Sequence, residues 1–332
     1  MEDNKETIRG IIKPSTREFF KLARRAPEVS LWDALHGYVY ALWPYLYIGI
    51  GVGEHPLAKA WRTLSDGISI VTGRNGRDGR GGIPDSLELS EKEEKVLEIG
   101  KSFADGYHGK VMPLEPAKKL VLINEDITLP DLEQVIPYDR ARAIILRNPD
   151  HIVALECPCR SARPDPCLPL DVCIIVGEPF AGFVNEHHPD RSHWVSPQEA
   201  VGILEAEDAR GHVHHAFFKD AMLGRFYAIC NCCSCCCGAM QAHRTGTPML
   251  DSSGYVAVID QDACIGCTTC AEFCQFGALT IEADIAVVSY EHCMGCGVCV
   301  NHCPEEGIHL QAAPDKGIPL IISELMASAI GA

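Results

Sequence analysis

The stretch Cys264-Ile265-Gly266-Cys267-Thr268-Thr269-Cys270-Ala271-Glu272-Phe273-Cys274 is echoed 29 residues on by Cys293-Met294-Gly295-Cys296-Gly297-Val298-Cys299-Val300-Asn301-His302-Cys303-Pro304. Both read C-x2-C-x2-C-x3-C. Three thiolates at i, i+3 and i+6 on a tight loop reach three iron corners of a cubane, and the fourth corner needs a distant thiolate, which the opposite repeat supplies. The ligand sets are therefore expected to cross. Cys264, Cys267, Cys270 and Cys303 would hold one [4Fe-4S] cluster, and Cys293, Cys296, Cys299 and Cys274 the other. Gly266, Gly295 and Gly297 would let the backbone wrap closely and aim N–H groups at sulfur. Zinc sites pair C-x2-C couples instead, so zinc does not suit this spacing.

Short apolar strands are expected at Tyr255–Ile259 and Ile285–Ser289, each just before a cysteine loop. With them, residues 251–313 resemble the bacterial-type ferredoxin module with two [4Fe-4S] clusters. The resemblance implies a small dicluster fold that passes single electrons between a donor and an acceptor protein. One departure is Gln275, where that family usually has Pro after the fourth cysteine; Pro304 keeps it in the second repeat. Such a Pro shapes a turn and ligates nothing, so a tuned potential is expected, with the cluster retained. The chain as a whole resembles, at class level, the multi-cluster ferredoxin-domain proteins of anaerobic bacteria.

Ten further cysteines lie upstream and none precedes Cys157. Cys157, Cys159, Cys167 and Cys173 form one group; Cys230, Cys232, Cys233, Cys235, Cys236 and Cys237 form the other. The groups follow strand-like runs at Ile152–Leu155 and Phe226–Ile229, so neighbouring strands are expected to deliver both to one sheet edge. Neither spacing is a ferredoxin loop. One or more further iron–sulfur centres, a zinc or other structural metal, and a dithiol redox pair or merely buried thiols all remain open. Cys236-Cys237-Gly238 resembles the CCG motifs of heterodisulfide-reductase-type subunits over three residues. Adjacent cysteines on a strand point to opposite faces, so the six of 230–237 cannot share one centre without a turn. His187, His188, His212, His214 and His215 gather in the same region as possible metal ligands or proton donors, with no evident carboxylate partner.

The 332 residues suffice for two or three domains, and a 47% hydrophobic content excludes wholesale disorder. Net charge is −16, concentrated beyond residue 156, and residues 251–313 hold nine acidic side chains with no Lys or Arg. A nucleic-acid partner is therefore not expected, because a duplex backbone rewards the opposite balance. Donor and acceptor proteins with a basic docking face are. The Met1–Glu6 start lacks a signal-peptide pattern, so a cytoplasmic, reducing location is expected, where thiolates serve metals or redox work.

Ala34–Gly53 carries no charge and crowds Tyr38, Tyr40, Trp43, Tyr45 and Tyr47 at its centre. Spanning helices collect such residues at their ends. A buried helix pair broken at Pro44 is favoured over a membrane-surface or partner-facing segment, and that over a spanning helix. A capping box, Ser90 with Glu93, should open a helix, and the Gly/Arg run 73–82 reads as a solvated connector. Strands are also expected at Cys173–Val176 and Val213–Phe218, and a helix after Ser196-Pro197-Gln198-Glu199.

The reading is an α+β protein: a mostly helical region (1–110, with the aromatic apolar segment inside it), a cysteine-rich α/β domain (111–250), the dicluster domain (251–313) and a helical tail (314–332). No Walker loop, Rossmann glycine pattern or hydrolase elbow is present. Electron transfer is the leading function. An oxidoreductase that reduces a small molecule or disulfide at the upstream cysteines, and a redox or metal sensor, are the alternatives.

Overall fold

A computed structural model describes residues 12–26, 29–56, 91–130 and 132–330. The Gly/Arg run 73–82 and the cap residue Ser90 lie outside them.

The aromatic segment folds as two short helices, α1 (Leu31–Leu42) and α2 (Pro44–Gly51). Ser30 and Asp33 close a capping box that starts α1. Trp43 leaves helical geometry at φ −128° and ψ 51°, because Pro44 supplies no N–H and disfavours α geometry in the residue before it. The break lies where the sequence placed it. No helix among the described residues is long and apolar enough to cross a membrane. Ala34, Gly37, Tyr40 and Ala41 turn inward. A Cβ on Gly37 would sit 1.7 Å from the carbonyl oxygen of Ala221, so α1 packs there backbone to backbone. Trp32, 78% exposed, and Leu35, Val39, Trp43, Leu46 and Ile50 face outward.

The main body is a seven-stranded sheet with the order β6-β4-β5-β8-β7-β1-β9. Its strands are β1 (Tyr107–Met112), β4 (Ile152–Leu155), β5 (Cys173–Val176), β6 (Ser192–Val195), β7 (Val213–Lys219), β8 (Arg225–Cys232) and β9 (Leu250–Asp251). All pairings are antiparallel except β1 with β9. A separate hairpin joins β2 (Ile127–Leu129) to β3 (Ile144–Leu146). The central strands are buried on both faces, and β4 and β5 are almost wholly apolar, as strands covered on two sides tend to be. β1 and β9 run across the boundaries expected near residues 110 and 250, so this sheet draws on the chain on both sides of them.

Ser196 and Glu199 form the expected capping box, and α3 (Pro197–Ala209) follows with Pro197 in its first turn. β8 reaches three residues further than the sequence suggested and carries Cys230 and Cys232 inside the sheet. The C-terminal module has two small ribbons, β10 (Tyr255–Ile259) with β13 (Ile308–Ala312) and β11 (Leu279–Glu282) with β12 (Ile285–Val288). It has its own apolar core, which includes Val256, Ala257, Leu279, Ala286 and Ile308. A helix at Ile322–Ile330 ends the described chain.

Candidate metal centres

In the C-terminal module the eight cysteines wall two cavities. Cys264, Cys267, Cys270 and Cys303 line one, together with Ile281 and Ile308. Cys274, Cys293, Cys296 and Cys299 line the other, together with Phe276, Val298 and Leu310. Backbone N–H groups point at the sulfurs: Ala286 N lies 3.4 Å from Cys264 Sγ, Ala278 N 3.2 Å from Cys274 Sγ and Ala257 N 3.4 Å from Cys293 Sγ. Gly295 has φ +62°, and a Cβ there would sit 2.2 Å from the Tyr255 carbonyl oxygen, so the second loop closes only with glycine. Gly297 holds φ +83°, and Thr268, its counterpart in the first repeat, holds φ +70° without that freedom. Four free thiols around an apolar cavity, with amides aimed at sulfur, fit an iron–sulfur cluster in each.

The two cavities differ in setting. Cys267 is exposed, beside Ile265 at 63% exposure, so the first opens outward. The second lies against the main body, where Met294 and Val298 join the large core and Phe273, Phe276 and Cys296 pack on it. Asn301 Nδ2 donates to Asp208 Oδ2 at 2.9 Å, and the rings of Phe273 and His302 meet at a tilt of 32° with centroids 3.9 Å apart. Gln275, the departure from the family pattern, accepts a hydrogen bond from Ser234 N–H at 2.9 Å. That bond ties the loop after Cys274 to the loop carrying Cys233 and Cys235.

The upstream cysteines converge through three neighbouring strands. The end of β4 leads into Cys157, Cys173 begins β5 opposite Leu155, and β8 carries Cys230 just beyond its Ile229–Ile174 pairing. They form two sets. Cys167, Cys233, Cys235 and Cys236 bring their sulfurs within 4.8 Å of one another, with Cys167 and Cys235 at 3.2 Å. The other six thiols contact one another in a closed ring: Cys157, Cys159, Cys237, Cys232, Cys230, Cys173 and back to Cys157. Strand alternation explains the division, since Cys230 and Cys232 share a face of β8 and Cys233 turns to the other side.

The ring borders a cavity of about 80 Å³, which also touches Tyr40, Tyr107, Tyr227 and Arg160. S–H contacts from Cys173 and Cys232 hold the Cys230 thiol down at about 6 against burial. Contacts from Cys159 and Cys232 hold Cys237 well below the ordinary thiol range. The same contacts raise the Cys173 and Cys232 thiols, and Cys157 and Cys159 are raised as well, so Cys230 and Cys237 are the two sulfurs of the ring poised as thiolates for a soft metal.

Between the two sets lies Arg160, 1% exposed. Its guanidinium donates to the carbonyl oxygens of Pro169 at 2.6 Å and Asn231 at 3.1 Å, and pairs with Glu207. Burial alone would weaken its charge, but Glu207, Cys157 and Cys233 raise its pKa overall. A fixed cation here offsets the negative charge that thiolate-bound metal would bring. Its place directly after Cys159 was the available sequence signal, and its partner, 47 residues away, was not legible.

The histidines belong to the scaffold, and the expectation that they lack carboxylate partners is corrected by α3. His212 Nδ1 lies 2.7 Å from Glu207 Oε2, and His214 Nε2 lies 3.8 Å from Asp208 Oδ1. These carboxylates end a helix that reaches the strand only through the tertiary fold. His187 meets Thr16 Oγ1 at 3.0 Å, and His188 bonds the Ala41 carbonyl oxygen at 2.7 Å. His215 is buried on the other face of β7, its pKa lowered to about 3 chiefly by burial.

No curated protein and no solved structure matches the chain. Residues 257–310 match the family model described as a 4Fe-4S dicluster domain, so the C-terminal part of the chain is a ferredoxin-like iron–sulfur module.

Proposed function

We propose that this protein is an iron–sulfur electron carrier that relays single electrons between a partner protein and a buried cysteine-ligated centre. The order of the relay follows from the exposure of the first cluster and from the loop contact that joins the second to the upstream cysteines. Electrons would pass from the exposed cluster held by Cys264, Cys267, Cys270 and Cys303 to the inner cluster held by Cys293, Cys296, Cys299 and Cys274. From there they would reach the set Cys167, Cys233, Cys235 and Cys236, and finally the six-cysteine ring. The observation that carries this reading is the Gln275–Ser234 hydrogen bond, which joins the inner loop to the upstream cysteine loop. The four-thiol set suits a closed, four-ligand centre, and the six-thiol ring has ligands enough for more than one metal ion.

Iron and acid-labile sulfide in the anaerobically purified full chain test this. The two C-terminal clusters account for about eight irons, and the full chain should exceed that clearly. Cys157→Ala with Cys159→Ala should remove one part of the excess, and Cys167→Ala with Cys235→Ala another. A total of eight irons with stoichiometric zinc would replace the upstream relay with a structural zinc site.

A second reading makes the ring a catalytic centre for reducing a small molecule. The cavity beside it favours this, being mostly apolar and edged by the hydroxyl pair of Tyr40 and Tyr227 at 3.1 Å. Binding of a small ligand that perturbs the spectrum of the ring centre alone would favour it.

A further inference from the structure

A second large cavity lies at the other end of β8, about 16 Å along the strand from Cys230 at ~3.3 Å per residue. It has a volume of about 540 Å³, within the range of small-molecule sites, and Arg25, Arg140, Arg147 and Arg225 line it with Asp33, Asp139 and Asp220. Two of these arginines are matched. Arg140 pairs with Asp220 at 2.9 Å, and Arg147 pairs at 3.0 Å with Asp126, which is not part of the wall.

Arg225 is different. It is only 5% exposed, its Nε and Nη2 have no hydrogen-bond partner among the described residues, and its guanidinium lies over the Phe180 ring at 4.9 Å. Nε and Nη2 form the side edge of the guanidinium, the edge that receives two oxygens of a carboxylate or phosphate at once. A buried cation without an anion is costly, and proteins almost always supply the partner. Among the described residues no carboxylate of this wall pairs with Arg225. Burial and the nearby charge of Arg147 accordingly depress its pKa to about 10.

We propose that this cavity binds a small organic oxyanion, a phosphate ester or a carboxylate, with Arg225 as its buried anchor. Arg147 and Arg25 add positive field around it. Asp33 and Asp139 would accept hydrogen bonds from hydroxyl or amino groups on the same ligand, which favours a hydroxylated anion over a bare one. Nε and Nη2 are themselves buried, so binding requires the Arg225 side chain to turn that edge toward the cavity. The site is independent of the cysteine centres and stands whether or not the electron-relay reading does.

Thermal unfolding of the anaerobically purified full chain tests it. Inorganic phosphate, glycerol 3-phosphate and malate are each titrated at constant ionic strength against potassium chloride. At least one should raise the midpoint saturably. Preference for the phosphates identifies a phosphate ester, and preference for malate a carboxylate. Arg225→Met should weaken that binding at least tenfold, keep the full iron content, and unfold without anion at or above the wild-type temperature, because it removes an unpaired buried charge. Arg147→Gln, altered at an exposed pair, supplies a second variant that should also bind more weakly. No saturable shift from any of the three, a shift equalled by chloride, or one undiminished in both variants would overturn the proposal.

Discussion

The side-chain carbonyl of Gln275 accepts the backbone N–H of Ser234 at 2.9 Å, so two cysteine loops 41 residues apart share one hydrogen bond. Gln275 follows Cys274, and Ser234 stands between Cys233 and Cys235. A proline at 275 would shape the turn equally well but could offer no side-chain acceptor. The departure from the ferredoxin pattern therefore acquires a physical use: it fastens the inner cluster loop to the upstream loop.

Gln275→Ala and Gln275→Pro should both retain full iron. Each leaves the part-buried Ser234 N–H without its partner, a loss of about 1 kcal/mol in the range for a neutral hydrogen bond. Under the relay reading, electron equilibration between the C-terminal and upstream centres should slow in both variants. Flash reduction followed by optical decay measures this, and an unchanged rate would leave Gln275 with a packing role only.

The dicluster loops were legible because their chemistry is local: each repeat sets the reach of three thiolates in seven residues. The helix break at Pro44 and the cap at Ser196 were legible for the same reason. The grouping of the upstream cysteines was only half legible. Alternation along β8 implied that Cys232 and Cys233 would part, but Cys167 joins Cys235 through a loop whose path depends on the whole domain. Arg160 and Glu207 meet in the core from separate elements, and no local pattern announces such a pair.

The crossed lining of the two cavities predicts an asymmetric response to single substitutions. Cys303→Ser should perturb the cluster of Cys264, Cys267 and Cys270 and spare its neighbour. Cys274→Ser should perturb the cluster of Cys293, Cys296 and Cys299. Electron paramagnetic resonance of the reduced variants distinguishes the two signals. Damage to the repeat that contains the altered cysteine would show the sets to be uncrossed.

Salt should slow electron exchange with a basic redox partner. Residues 251–313 present nine carboxylates and no Lys or Arg. Steering by exposed charge is screened beyond ~10 Å at 0.1 M salt. Stopped-flow rates should fall steadily between low and physiological ionic strength. A flat profile would assign the acidity to solubility alone.

Lys219 predicts an unusual dependence of stability on pH. Its ammonium group is buried, with ring centroids of Tyr40 at 3.9 Å, Tyr107 at 4.1 Å and Tyr47 at 4.7 Å. Burial lowers its pKa to about 7, with Asp220 opposing the shift. An unfolded lysine keeps its proton up to about 10.4. Between those values the unfolded chain binds more protons than the folded one, so stability should rise with pH across that window. Below about 7 both states are protonated and the cost of the buried charge is fully present. The three aromatic faces soften that cost by roughly 0.5–2 kcal/mol each where desolvated, which moderates the slope without reversing it. Lys219→Met should accordingly be more stable than the wild type at pH 7, and the difference should shrink as pH approaches 9.5. Urea midpoints of the two proteins measured at half-unit intervals decide the matter: a constant difference across the window would mean that Lys219 stays charged throughout.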